Sequence, residues 1–270
     1  MTQPLVQQHD GVLFDLDGVL YAGPSAVPGA PEAVASLTAQ GTPHGFVTNN
    51  ASRSAESVAS HLSELGIPAS PAQVIGSAPA GVALMAEQIS AGARVLVTGS
   101  AYLASLVEAA GFETVPSAAE NPDAVIQGFE PTLGWADLAE AAYAVNNGAA
   151  WFATNLDYSV PRDRGIAPGN GALVQAVSYA TGQSPQAAGK PEPTMFLQAA
   201  QTLGLRNPLV VGDRLDTDIL GGNRAGFSTA LVLTGVNSAE DAVHAEHTMQ
   251  PNWILRTLED LFNAEHRGLQ

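Results

Sequence analysis

The sequence predicts an α/β protein with parallel sheets and right-handed crossovers. Three observations carry this. Short β-type apolar runs alternate with amphipathic helical runs along nearly all of the 270 residues, and strands alternating with helices favour parallel pairing. Six of the helical runs stop at a glycine (Gly41, Gly66, Gly111, Gly148, Gly182 and Gly226), the usual punctuation for a helix end. Heptads, short repeats and a low-complexity tail are absent.

Taken in order, residues 11–16 (GVLFDL) read as a buried strand and 30–40 as a helix. A second strand follows at 44–48, a helix at about 54–65 with Val58, Leu62 and Leu65 on one face, and a short strand at 73–76. An Ala-rich helix at about 79–90 opens the middle of the chain. There the same grammar recurs: strand 94–98, helix 101–110, strand 123–128, helix 135–147, strand 150–154. A Pro/Gly-rich loop, 156–170, leads to a helix at about 171–181. The last third holds a helix at about 192–203, a buried strand at 208–212, a helix at about 216–225 and a strand at 228–233. Residues 252–255 read as a last short strand before a C-terminal helix starting near Thr257.

Composition narrows the functional classes. The apolar fraction is 46%, enough for a real core, and the length suits two domains. No apolar run reaches the roughly 18–20 residues of a membrane span. The first residues, MTQPLVQQHDG, lack the basic and apolar stretches of a signal peptide. Cysteine is absent, which removes disulfides and Cys-ligated metals. A cytoplasmic location is the resulting expectation. A net charge of −16 with ten Lys plus Arg argues against nucleic acid and against an anionic membrane surface as partners. It leaves room for a small anionic substrate, because a bound cation inverts the local field. Lys190 is the chain's single lysine, beside nine arginines. An ammonium is a compact point charge suited to a phosphate oxygen.

Four clusters carry chemistry. Asp15-Leu16-Asp17-Gly18 ends the first strand, where open α/β sheets bind ligands. Carboxylates two residues apart in extended chain point to one side. They repel unless a cation joins them or one is protonated, so the pair suits either a hard metal ion or acid catalysis. Thr48-Asn49-Asn50 ends the second strand and offers donors for phosphate oxygens, or plain helix-cap chemistry. Gly189-Lys190-Pro191 precedes a helix, with Pro191 suited to its first position. Gly212-Asp213-Arg214-Leu215-Asp216-Thr217-Asp218 follows a buried strand, and Asp216 reads as an N-cap for the next helix.

In this order, DxDGV, a strand ending in Thr, Lys, and GDxxxxD resemble the haloacid dehalogenase superfamily. The resemblance implies a Rossmann-like core. It implies Asp15 as nucleophile, Asp17 as general acid/base, and Thr48 and Lys190 as holders of the transferring phosphoryl group. It also implies Mg²⁺ bound by Asp15, by Asp17 through its backbone carbonyl and by Asp213, with Asp218 in support. Only 30 residues separate Asp17 from Thr48, too few for an inserted domain, whereas 141 separate Thr48 from Lys190. An α/β cap is therefore expected at 79–186, between core segments 1–78 and 187–270. This arrangement is similar to subfamily IIA, the NagD-like phosphatases of sugar, nucleotide, glycerol or pyridoxal phosphates. TNNASRS (48–54), ATNLD (153–157), PGNGALV (168–174) and ATGQSPQAAGKPEP (180–193) match as well. Position 170 departs mildly from the family pattern, which bears on substrate identity. The resemblance further implies a homodimer formed through the cap.

The expected function is hydrolysis of small phosphate monoesters through an aspartyl-phosphate; a catalytically idle phospho-metabolite-binding protein is the alternative. Asn49, Asn50, Arg53, Asn155 and Asp157 are candidate substrate contacts, with turn chemistry or a solvated arginine as the plainer explanation. Gly169-Asn170-Gly171 reads as a helix entry, since a third fingerprint glycine is missing. His244 and His247 lack further ligands for a zinc site. Trp135, Trp151 and Trp253 read as packing residues.

Overall fold

The structure is a computed structural model and describes residues 3–162 and 164–263. Backbone packing divides the chain into two units. The first comprises residues 1–48, 55–75 and 190–270; the second comprises 49–54 and 76–189. Two parallel sheets are built, in chain order, from β1 (Val12–Phe14), β2 (His44–Thr48), β3 (Val74–Gly76), β4 (Arg94–Thr98), β5 (Glu113–Val115), β6 (Ala124–Gln127), β7 (Ala150–Ala153), β8 (Gln186–Ala187), β9 (Leu209–Gly212), β10 (Ser228–Val232) and β11 (Trp253–Leu255).

In the first sheet the order is β11-β10-β9-β1-β2-β3. β1 is central because Val12, Leu13 and Phe14 are fully buried and can face helices on both sides. It pairs in parallel with β9 (Phe14 opposite Val211) and with β2 (Phe14 opposite Phe46). The chain leaves β1 toward one edge and later returns on its other side at β9. This reversal of strand order is a topological switch point, where a crevice opens beyond the carboxyl ends of the strands. Val34 and Leu37 of helix Ala30–Ala39 and Val58 and Leu62 of helix Ala55–Glu64 join Phe14, Phe46 and Val211 in one core.

The second sheet runs β8-β7-β6-β4-β5, again parallel. One apolar cluster gathers Val125, Trp151 and Val174; another gathers Val95, Ile126 and Phe152. Residues 159–162 and 165–168 form a two-stranded antiparallel ribbon inside the expected loop. A smaller ribbon pairs Tyr21–Ala22 with Ser25–Ala26 in the first unit. No described helix is long and apolar enough to cross a membrane.

Some expectations are corrected. Helix Thr194–Leu203 begins four residues after Lys190, with Pro193 at its N-cap, so Pro191 does not open it. Proline disfavours the helical region in the residue before it, which keeps Glu192 out. The expected helix 216–225 is a π-helical turn, Leu215–Ile219, followed by Leu220–Arg224. Asp216 lies inside that turn, exposed, and pairs with Arg214 at 2.9 Å; Arg214 holds the N-cap position. Trp135 is 79% exposed. It opens helix Trp135–Asn146 one turn before Leu138, which packs on the core. Where a C-terminal helix is expected from near Thr257, Leu258–Phe262 form a 3₁₀ turn, and residues 264–270 lie outside the described residues.

Candidate active site

Within the first unit, three strand ends converge. Asp15 follows β1, its amide donating to Val211 O at 2.9 Å. Asp213 follows β9 and Thr48 is the last, buried residue of β2. The π-helical turn gives Asp218 its place: the amides of Asp218 and Ile219 both donate to Arg214 O at 3.1 Å. The extra residue in the turn brings the Asp218 side chain back over Gly212. A Cβ on Gly212 would sit 2.1 Å from Asp218 Cβ, so only glycine fits.

Lys190, 4% exposed, donates to Asp15 Oδ1, to Asp218 Oδ1 at 2.7 Å and to Val47 O at 3.2 Å. Burial alone would lower its pKa; the Asp15 and Asp218 carboxylates overcome that and hold it well above the ordinary lysine value. Burial also pushes Asp15 upward in spite of Lys190. Asp218 is raised to about 6, by burial against the opposing pull of Lys190.

Asp213 is the least compensated group. Its Oδ2 accepts from Val236 N at 2.8 Å, while Oδ1 is buried with no hydrogen-bond partner. Burial, then the charges of Asp218 and Asp15, push it up to about 8. Oxygens of Asp15, Asp213 and Asp218 lie within 4.8 Å of one another. Three carboxylates against one ammonium leave a surplus of negative charge. A hard divalent cation with oxygen ligands answers both the orphaned oxygen and that surplus, so these residues fit a metal ion.

Sequence reasoning missed the segment that seats Asp213. Thr234 Oγ1 donates to Gly18 O at 2.7 Å, and Asn237 Oδ1 accepts from Leu215 N at 2.9 Å. A Cβ on Gly235 would lie 2.0 Å from Asp213 Oδ2. The visible signal was slight: a Thr-Gly pair directly after a buried strand. Asp17 is exposed and accepts from Tyr21 Oη at 3.3 Å.

Within the second unit, three of the candidate substrate contacts, Asn49, Asn155 and Asp157, form one network. Asn49 Nδ2 donates to Asp157 Oδ1 at 2.8 Å. Asn49 O accepts from Ser77 Oγ at 2.6 Å and from Asn155 Nδ2 at 2.8 Å. Asp157 N donates to Asn155 Oδ1 at 3.2 Å, and Asn170 Nδ2 to Asn155 O at 2.7 Å. Helix Asn170–Thr181 starts at the expected entry, and Gly171 N donates to Asp157 O at 2.8 Å. Asn50 accepts from Ser52 N and Oγ, and Arg53 is exposed. His244 and His247, in the first unit, are exposed, with no ligand cluster around them among the described residues.

Comparison with known proteins agrees with this geometry. Residues 12–113 match the haloacid dehalogenase-like hydrolase family model, and 187–261 match a second model of haloacid dehalogenase-like hydrolases. The chain is 47% identical over 257 residues to the D-glycerol 3-phosphate phosphatase of Mycobacterium tuberculosis, covering 95% of this chain and 72% of that protein. It is 40% identical to an acid sugar phosphatase of Staphylococcus aureus, covering 87% of this chain and 91% of that one. The crystal structure of the Mycobacterium tuberculosis glycerol phosphate phosphatase in complex with magnesium superposes with a TM-score of 0.93 at 46% identity. That match covers 97% of this chain and 79% of the other.

Proposed function

The chain belongs to the haloacid dehalogenase-like hydrolases, as a phosphatase of subfamily IIA, and on that premise we propose that it hydrolyses small phosphate monoesters through an aspartyl-phosphate on Asp15. The observation that carries the proposal is the cluster at the switch point: a buried nucleophile candidate tied to the chain's single lysine, beside a carboxylate with an unmatched oxygen.

In the first step an oxygen of Asp15 attacks phosphorus and the ester P–O bond breaks. The electron pair leaves with the alcohol oxygen, which takes a proton from Asp17. In the second step water attacks phosphorus, gives its proton to Asp17, and the bond to Asp15 breaks. Lys190 and Thr48 hold the phosphoryl oxygens as charge builds on them. Asp15, the backbone carbonyl of Asp17 and Asp213 would hold Mg²⁺. Asp218 supports that site through Lys190, because both its oxygens already accept hydrogen bonds, from Lys190 and from Arg214 N. When bound, the ion neutralises charge on the phosphoryl group and lets an anionic nucleophile approach an anionic substrate.

The second unit is read as the inserted cap, its core being residues 79–186. Asn49, Asn50, Arg53, Asn155 and Asp157 are read as contacts for the substrate's leaving group. The activities named for the relatives favour glycerol and sugar phosphates over nucleotide and pyridoxal phosphates as substrates. The test is phosphate release from an aryl phosphate, with and without Mg²⁺, by wild type and Asp15→Asn. Mg²⁺-dependent release that vanishes in the variant supports the scheme. Release by Asp15→Asn, with contamination excluded, sinks it, and ligand binding without any turnover points to the idle binding protein.

A further inference from the structure

Gly169-Asn170-Gly171 does more than start a helix. Three successive residues each take hold of the loop after β7. Gly169 N donates to Tyr158 O at 2.9 Å, Asn170 Nδ2 to Asn155 O at 2.7 Å, and Gly171 N to Asp157 O at 2.8 Å. The two glycines make this approach possible. A Cβ on Gly169 would lie 2.3 Å from Asp157 O, and one on Gly171 2.2 Å from Leu156 O. Both obstacles are backbone, which cannot turn aside as the end of a side chain can. Asn170 Nδ2 also reaches Gln127 O, at the end of β6, at 3.4 Å, so one amide group ties the loop to the sheet. Asn170 is 1% exposed, and its Oδ1 is buried with no hydrogen-bond partner. An unmatched buried oxygen costs stability. The amide cannot flip to relieve it, because two carbonyl oxygens face Nδ2 and need a donor. The side chain thus accepts a penalty on one atom to hold two carbonyls with the other.

We propose that Asn170, between its two glycines, is the positioning residue that sets which leaving groups are accepted: it holds the backbone from which Asn155 and Asp157 project. This rests on the reading of those two residues as contacts for the leaving group. Asn155 carries the captured carbonyl itself. Its Oδ1 in turn accepts from Asp157 N at 3.2 Å, so a shift at residue 155 is passed on to residue 157. Contacts to a substrate lose much of their value when displaced by about an ångström. Asn170 need not touch the substrate to decide how well its alcohol is read.

The assignment makes a claim about specificity. Glycerol offers hydroxyls for polar contacts to read; the p-nitrophenyl group has none. Inorganic phosphate carries no leaving group, so its inhibition reports the phosphoryl-binding residues. In Asn170→Ala, kcat/KM for glycerol phosphate should fall by about tenfold or more relative to that for p-nitrophenyl phosphate, mostly through KM. Inhibition by inorganic phosphate should change less than about twofold, since uniform binding at the phosphoryl group is untouched. Asn170→Asp, ionised at about pH 8.5, keeps the shape and removes both donor hydrogens, and should show the same change. Equal losses on both substrates with weakened phosphate inhibition would mean general structural damage and would overturn the proposal, as would an unchanged ratio in both variants. A ratio altered in Asn170→Ala but not in Asn170→Asp would mean that volume matters and the hydrogen bond does not, which overturns it too. Asp157→Ala, run beside them, separates the two ideas. If Asp157→Ala changes the ratio while the Asn170 variants do not, the positioning role alone fails. If Asp157→Ala leaves the ratio unchanged, the reading of the loop as a leaving-group contact fails with it.

Discussion

Lys190 donates to Asp218 Oδ1 at 2.7 Å while also donating to Asp15, so one buried ammonium locks two buried carboxylates together. Lys190→Met should lower phosphate release about 100- to 1,000-fold, the loss expected when one preorganised transition-state donor is removed. The metal-free variant should also melt at a lower temperature, because the two carboxylates then face each other without a cation. Unchanged turnover would exclude Lys190 from the chemistry.

Gly235→Ala should act on Asp213 without removing any functional group. The new methyl would lie 2.0 Å from Asp213 Oδ2 and 2.5 Å from its Cβ, so that side chain must swing away. Titration with Mg²⁺ by calorimetry should show affinity falling about tenfold or more, by the analogy of altered groups around metal ligands. Wild-type affinity in this variant would mean Asp213 is not a ligand.

Acidity should set the response to metal. Asp213 is raised to about 8 and Asp218 to about 6, both from 3.8. Between the unfolded and folded values the native state holds more protons than the unfolded chain. Stability of the metal-free protein is therefore full at the acidic end and is lost as pH rises from about 4 toward about 8. Protons and Mg²⁺ compete for the same oxygens. Melting curves in chelator and in Mg²⁺ should thus diverge with pH: the stabilisation by Mg²⁺ is larger at about pH 8.5 than at about pH 6. A shift equal at both values would count against this titration.

Asn155→Ala should cost stability in the second unit. It removes one donor to Asn49 O and the acceptor for Asp157 N. Asn49 O keeps its bond from Ser77 Oγ, so the loss is that of ordinary hydrogen bonds, about 0.5–1.5 kcal/mol each, readable as a lower urea midpoint. A midpoint within error of wild type would show the network to be dispensable.

Much of this was written in the chain. Each of Asp15, Thr48, Lys190 and Asp213 is a polar residue next to an apolar run or a glycine, and that contrast is what a linear reading detects. Asp218 was legible through its spacing from Asp213, but the π-helical turn that delivers it was not, because one extra residue in a turn leaves no periodicity. Gly235 and Val236 were invisible for a different reason: they act through a backbone amide and through the absence of a side chain. Trp135 misled because hydrophobicity reports what a residue prefers, not whether a helix end overhangs its core. The ribbon at 159–168 escaped because Pro and Gly within it read as loop signals.

The glycines around the carboxylates also limit how this protein can change. Every amino acid other than glycine carries a Cβ, so no single-codon change at 18, 212 or 235 avoids the collisions at 2.5, 2.1 and 2.0 Å. Positions with no chemistry of their own are therefore as closed to drift as the aspartates they surround. In a saturation library selected for activity, they should empty as completely as Asp15.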